Sequence, residues 1–212
     1  MTRPPLADIV DPTHTMVLVI DIQPLFTTMP LSPPVDDVLT NLRHLLDAAA
    51  EAGVPRTFVR HQVNDDEWTE AWQWQHEDWL RRALQPGAPI NAFDSRFLPA
   101  PNDEIVVKPR FSAFVGTDLA TKLRQRGIRT VVVAGLTTDI CVSSTVRDAY
   151  QREFHTVTLS DCTAEQTIER HEAGLASLAA CFGTVCTSND VIAAWAATES
   201  AVGNIPAESL TA

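Results

Sequence analysis

Three residues of this sequence combine types that can do acyl chemistry: an acid, Asp21; an ammonium, Lys108; and a thiol, Cys141. Each follows a short apolar run that reads as a buried strand. Residues 16–20 precede Asp21, 105–107 precede Lys108, and 130–134 precede the turn Gly135-Leu136-Thr137-Thr138-Asp139-Ile140 that leads to Cys141. In open parallel sheets ligands bind beyond the carboxyl ends of the strands, so the three side chains are expected on one rim. There the thiol is a nucleophile, and the carboxylate can take its proton and later deliver it to a leaving amine. A cysteine at a helix N-terminus beside an ammonium is expected to have a lowered pKa. The amides of the turn before that helix can hold a developing oxyanion. Lysine is scarce here: Lys108 and Lys122 stand among 16 basic residues. A compact, tunable ammonium in a chain that otherwise uses arginine singles out Lys108, whereas Lys122 falls on a predicted helix as a surface residue. Cys162, Cys181 and Cys186 read as core or loop residues.

The elements that must position these groups follow from periodicity. Val35, Val38, Leu39, Leu42, Leu45, Leu46 and Ala49 mark a helix stopping at Gly53. Strands are predicted at 16–20, 57–60, 105–107, 130–134, 155–159 and near Val185, with helices around Leu119 and Leu123, over 141–150, and over about 190–196. Thr163 and Gln166 suggest a capping box for a helix carrying Ile168, His171, Leu175 and Leu178. Strands alternating with helices predict an α/β protein, a three-layer α/β/α Rossmann-like sandwich around a mostly parallel six-stranded sheet. The chain reads as a single domain over 1–212. Residues 62–102 form an insertion or lid-like segment, and 198–212 a weakly ordered tail.

Three segments then carry a resemblance: VLVIDIQPLF (17–26), VKPRFSAF (107–114) and AGLTTDICVSSTVRDA (134–149). The chain resembles the isochorismatase-like cysteine hydrolase superfamily from about Met16 to Trp195. The resemblance implies Cys141 as the nucleophile of a thioester acyl-enzyme, Asp21 as general base and acid, and Lys108 as third triad member. It implies a non-proline cis peptide at Leu136–Thr137, with the Thr137 and Cys141 amides as the oxyanion hole. Nicotinamidases of this superfamily hold a metal through an Asp-x-His motif after the second strand. Here VRHQVNDDE (59–67) lacks that motif, so no metal or other cofactor is expected. The second segment looks most like amidohydrolases of carbamoyl or ureido compounds. The substrate-binding set is expected to include Gln23, Phe26, His61, Trp72, Arg110, Ser112 and Thr138, with Arg110 a candidate for a substrate carboxylate. The leading function is hydrolysis of a small amide, carbamoyl or ureido C–N bond. Two alternatives stand beside it: isochorismate-type vinyl-ether hydrolysis using Asp21 without the thiol, and a non-catalytic binding protein on the same fold.

Composition bounds the partners. The 212 residues carry 16 basic and 27 acidic side chains, a net charge of −11. Neither nucleic acid nor an anionic membrane surface suits that balance. Four cysteines without CxxC spacing fit a reduced, cytoplasmic protein. Trp68, Trp72, Trp74 and Trp79 cluster where residues 61–80 hold six acids and no Lys or Arg. That pattern predicts an acidic exposed face and an aromatic buried one, with Trp68, Trp72 and Trp79 together. Aromatic anchors are common in interfaces, and a homo-oligomer (dimer or tetramer) is expected, acting on a small-molecule substrate.

Overall fold

A computed structural model describes residues 4–203. Six strands form one sheet: β1 (Thr15–Ile20), β2 (Arg56–His61), β3 (Glu104–Lys108), β4 (Thr130–Leu136), β5 (His155–Ala164) and β6 (Thr184–Cys186). Their order is β3-β2-β1-β4-β5-β6, and every neighbouring pair is parallel. Helices α1 (Leu6–Ile9) and α2 (Pro24–Thr27) are single turns, and α3 (Val35–Glu51) is the longest. Then come α4 (Glu70–Gln75), α5 (Asp78–Leu84), α6 (Leu119–Gln125), α7 (Ser143–Gln151), α8 (Ile168–Cys181) and α9 (Ser188–Gly203).

Alternation along the central strands divides the core in two. Val17 and Val19 of β1 join Val132, Ala134, Val157 and Leu159 under α3 and α9. Met16, Leu18 and Ile20 point the other way, with Val131 and Val133, under α6 and α7. All of β1 and β4 is buried, which is why both read as unbroken apolar runs. The expected three-layer α/β/α sandwich is present.

Several boundaries differ from the sequence reading. β5 runs on to Ala164, past a register shift opposite Val133 and Gly135. Thr163 is therefore a buried strand residue and no capping box forms there; Thr167 caps α8 by accepting from the Arg170 amide at 3.3 Å. The segment over 141–150 begins as a wide π turn, Thr138–Val142, before α7. α9 reaches Gly203, so Thr198 to Gly203 is helical, and the remainder of the expected tail, 204–212, lies outside the described residues.

Candidate active site

β1, β3 and the turn after β4 bring Asp21, Lys108 and Cys141 together. Asp21 sits one residue beyond β1 with φ +52, in a left-handed region that non-glycine residues rarely adopt. Its amide donates to the Val59 carbonyl at 2.9 Å, and its carbonyl accepts from the Gln23 amide at 2.9 Å. Those two bonds turn the chain sharply and aim the carboxylate under the sheet rim. Lys108 is the last residue of β3, in register with His61 on β2. Its Nζ lies 2.7 Å from Asp21 Oδ2, with both side chains 0% exposed. The same ammonium reaches Cys141 Sγ at 3.3 Å and the Arg110 carbonyl at 3.2 Å. The Leu136–Thr137 peptide that opens the cysteine turn is cis.

Burial dominates the electrostatics, because removing a charge from water disfavours the charged form. Burial raises the Asp21 carboxyl above its ordinary range, although Lys108 pulls against it. At Lys108 burial opposes the charge, but Asp21 and Cys141 outweigh it and the ammonium is held above its usual range. Burial pushes the Cys141 thiol well up, against the pull of Lys108. This corrects the expectation of a lowered thiol pKa: the desolvation of a fully enclosed sulfur exceeds what one shared ammonium returns. The His61 imidazole is held well below its ordinary value, first by burial and then by Lys108, Arg110 and His76. It is neutral at pH 7.

Beyond the thiol opens a small cleft of ≈ 160 Å³. Phe26, Met29, Trp79, Leu80, Phe111 and Ile140 give it apolar walls, while His61, His76, Thr137, Gln166 and Cys141 supply its polar positions. An Asp21 oxygen, a His61 nitrogen and Cys141 Sγ lie within 4.8 Å of one another. Those donor types suit a transition metal, but the Lys108 ammonium already stands on two of them.

Kinship agrees with this geometry. An isochorismatase domain model matches residues 15–190. Ureidoacrylate amidohydrolase RutB of Methylobacterium radiotolerans is 30% identical, over 91% of this chain and 81% of that protein. The chain belongs to the isochorismatase family. Maleamate amidohydrolase of Pseudomonas putida is 29% identical over 83% of this chain and 84% of its own length. A solved cysteine hydrolase from Pseudomonas syringae pv. phaseolicola superposes with a TM-score of 0.80 at 27% identity, covering 89% of this chain and 95% of that one.

In this member of the family, only part of the expected binding set reaches the cleft. Phe26 and His61 line it, as does Thr137 of the expected oxyanion hole. Gln23 does not: its amide donates to the His61 and Asn91 carbonyls at 3.2 and 2.9 Å and to the Asn91 side chain, and its oxygen accepts from the His61 amide at 2.8 Å. It is a bracket joining the ends of β1 and β2 to the 62–102 segment. Arg110 donates to the Pro109 and Glu67 carbonyls at 2.7 and 2.8 Å and stacks over Trp72 at 4.8 Å. Trp72 stands behind the wall, its ring 5.0 Å from Phe111 and 5.9 Å from His61. Ser112 accepts from the Phe114 amide at 3.1 Å, and Thr138 pairs with His171 Nδ1 at 2.8 Å. Both are buried loop fasteners.

The Trp-rich segment also differs from its expected face. Trp68 is buried, but Trp79 is 47% exposed at the cleft mouth and Trp74 is 81% exposed. The chain leaves helical geometry at His76, so α4 and α5 do not share one helical face. Met29, His76, Leu80, Phe111, Ile140 and Gln166 were missed as cleft residues. Adjacency to Lys108 and Cys141 was a signal for Phe111 and Ile140; nothing in the sequence marked Met29 or Gln166.

Proposed function

We propose that this chain is a cysteine-dependent amidohydrolase that opens a small amide, carbamoyl or ureido C–N bond through a thioester. A hydrolase of C–N bonds is what its named relatives also are. The observation that carries the mechanism is the buried Lys108 ammonium, shared by Asp21 and Cys141 at 2.7 and 3.3 Å. The thiol is neutral at rest, so the proton leaves only as sulfur attacks the carbonyl carbon. Asp21 takes that proton, and Lys108 holds the anionic pair in place. The Thr137 and Cys141 amides receive the carbonyl oxygen as it gains charge. Collapse breaks the C–N bond, and Asp21 returns the proton to the departing nitrogen. Water, deprotonated by Asp21, then cleaves the thioester and releases acid and free thiol.

The reading includes a cytoplasmic setting, supported by cysteines that form no disulfide among the described residues; among the same residues no helix is long and apolar enough to cross a membrane. It includes a dimer or tetramer, supported by the exposed Trp74 indole and testable by sedimentation velocity. The deciding experiment is Cys141→Ala, assayed by ammonia release across small amides and ureides. Activity is expected to vanish, and mass spectrometry of the wild type during turnover to show an acyl adduct on Cys141. Undiminished turnover by the variant would reject the thioester route.

A further inference from the structure

We propose that the acyl pocket of this enzyme takes an uncharged, apolar carboxamide and excludes amides that carry a second carboxylate. The proposal rests on the amidohydrolase reading above and narrows its substrate. Maleamate and ureidoacrylate, the compounds named for two relatives, are both carboxylate anions. Beyond the carbonyl position the walls here are Phe26, Met29, Trp79, Leu80, Phe111 and Ile140. A carboxylate placed among them would lose its hydration and meet only the uncharged polar groups of His61, His76, Thr137 and Gln166, with no cation to compensate it.

Three cations of the surrounding loops and strand ends, Lys108, Arg110 and Arg170, have partners of their own. Lys108 is buried against Asp21 and Cys141. The Arg110 guanidinium is fastened to two main-chain carbonyls and covered by Trp72. Beside Gln166 at the mouth, Arg170 lies 3.4 Å from Asp139 and 3.9 Å from Glu165. Among the described residues no lysine or arginine lines the cleft itself. What the cleft does offer is His61: neutral, buried, and with Nε2 lacking a hydrogen-bond partner. A neutral imidazole suits an uncharged amide group, which can both donate and accept.

The reaction adds its own consequence. Water and carboxamide enter, the C–N bond breaks, and ammonia and a carboxylic acid leave. Once that acid ionises it is the species this cleft disfavours, so the product is expelled rather than retained.

The test is a matched pair. (Z)-Crotonamide and maleamate differ by a methyl in place of a carboxylate, and ammonia release gives kcat/KM for each with the full chain. Crotonamide is expected to be preferred at least about 10-fold, a difference of ~1.4 kcal/mol. Trp79→Arg, which adds a free guanidinium at the half-exposed mouth, is expected to shift the ratio toward maleamate by about 10-fold or more. Equal or better turnover of maleamate by the wild type would overturn the proposal. Protection of Cys141 from iodoacetamide, located by mass spectrometry, reads binding even where turnover is slow. Protection by crotonamide alone supports the proposal; protection by maleamate alone, by both equally or by neither overturns it. Failure of the thioester mechanism shows separately, as activity retained by Cys141→Ala.

Discussion

Asp21 is buried beside a cation, and those two circumstances pull its carboxyl in opposite directions. Burial wins, so its pKa lies above the ordinary 3.8. In the proposed role of general base it must be ionised, so kcat/KM is expected to climb with pH along an acid limb centred above 3.8. The stability sign is opposite. A carboxyl whose folded pKa is raised binds its proton more tightly in the folded state, so its contribution is full below the unfolded pKa and is lost as pH rises through the folded one. Asp21→Asn is expected to lower kcat/KM by about 10²–10⁴-fold, the usual share of general acid–base catalysis, and to abolish that acid limb. An unchanged limb in a pH–rate profile of the variant would assign it to another group. The meeting of Asp21, Lys108 and Cys141 was legible because each ends a clear apolar strand or lies in the turn that follows one. Gln23, Arg110, Ser112 and Thr138 do not line the cleft. Gln23, Arg110 and Thr138 bond to partners 68, 43 and 33 residues distant in sequence, which local pattern does not encode.

Elements set the approach of the proposed catalytic groups. β1 and β4 run side by side, with Ile20 opposite Gly135, so the strand ending at Asp21 and the one leading to Cys141 share their last pairing. Gly135 has φ +122, and a Cβ there would collide with the Ile20 backbone carbonyl. Only glycine permits this contact. Gly135→Ala is expected to destabilise the fold by several kcal/mol, at the upper end of single-site effects, measured by urea unfolding. A change under about 0.5 kcal/mol, within the range of neutral surface substitutions, would show that the strand ends separate freely. The helix start at Thr167 in place of Thr163 has a related cause. β5 pairs with β4 as far as Leu136 and Ala164, and that ladder holds Thr163 in the sheet despite its local capping signal.

At the scale of the molecule, charge acts before contact. The net charge of −11 repels an anionic substrate at long range, and salt screens that repulsion. The Debye length falls from about 30 Å at 0.01 M to about 8 Å at 0.15 M. Across that range kcat/KM for maleamate is expected to rise, whereas that for (Z)-crotonamide stays flat. A parallel rise for both would place the salt effect on the enzyme itself and not on encounter. Acidic residues concentrate in the segment that also carries Trp79 and Leu80 to the cleft, so one stretch of chain contributes both to the negative field and to part of the apolar wall.

The sequence alone determined the layer architecture, the approximate place of each strand and the three side chains, Asp21, Lys108 and Cys141, that meet at one rim. Each of those follows from short-range periodicity and from where an apolar run stops. The tertiary structure decided the rest. It enclosed Cys141 so fully that burial, not the helix dipole, governs its thiol. It withdrew Arg110 from the cleft by tying it to Glu67 and Trp72. It also assembled the acyl wall from Met29, Leu80, Phe111 and Ile140, residues far apart in sequence. Desolvation and pocket chemistry depend on which surfaces meet, and that depends on packing across the whole chain.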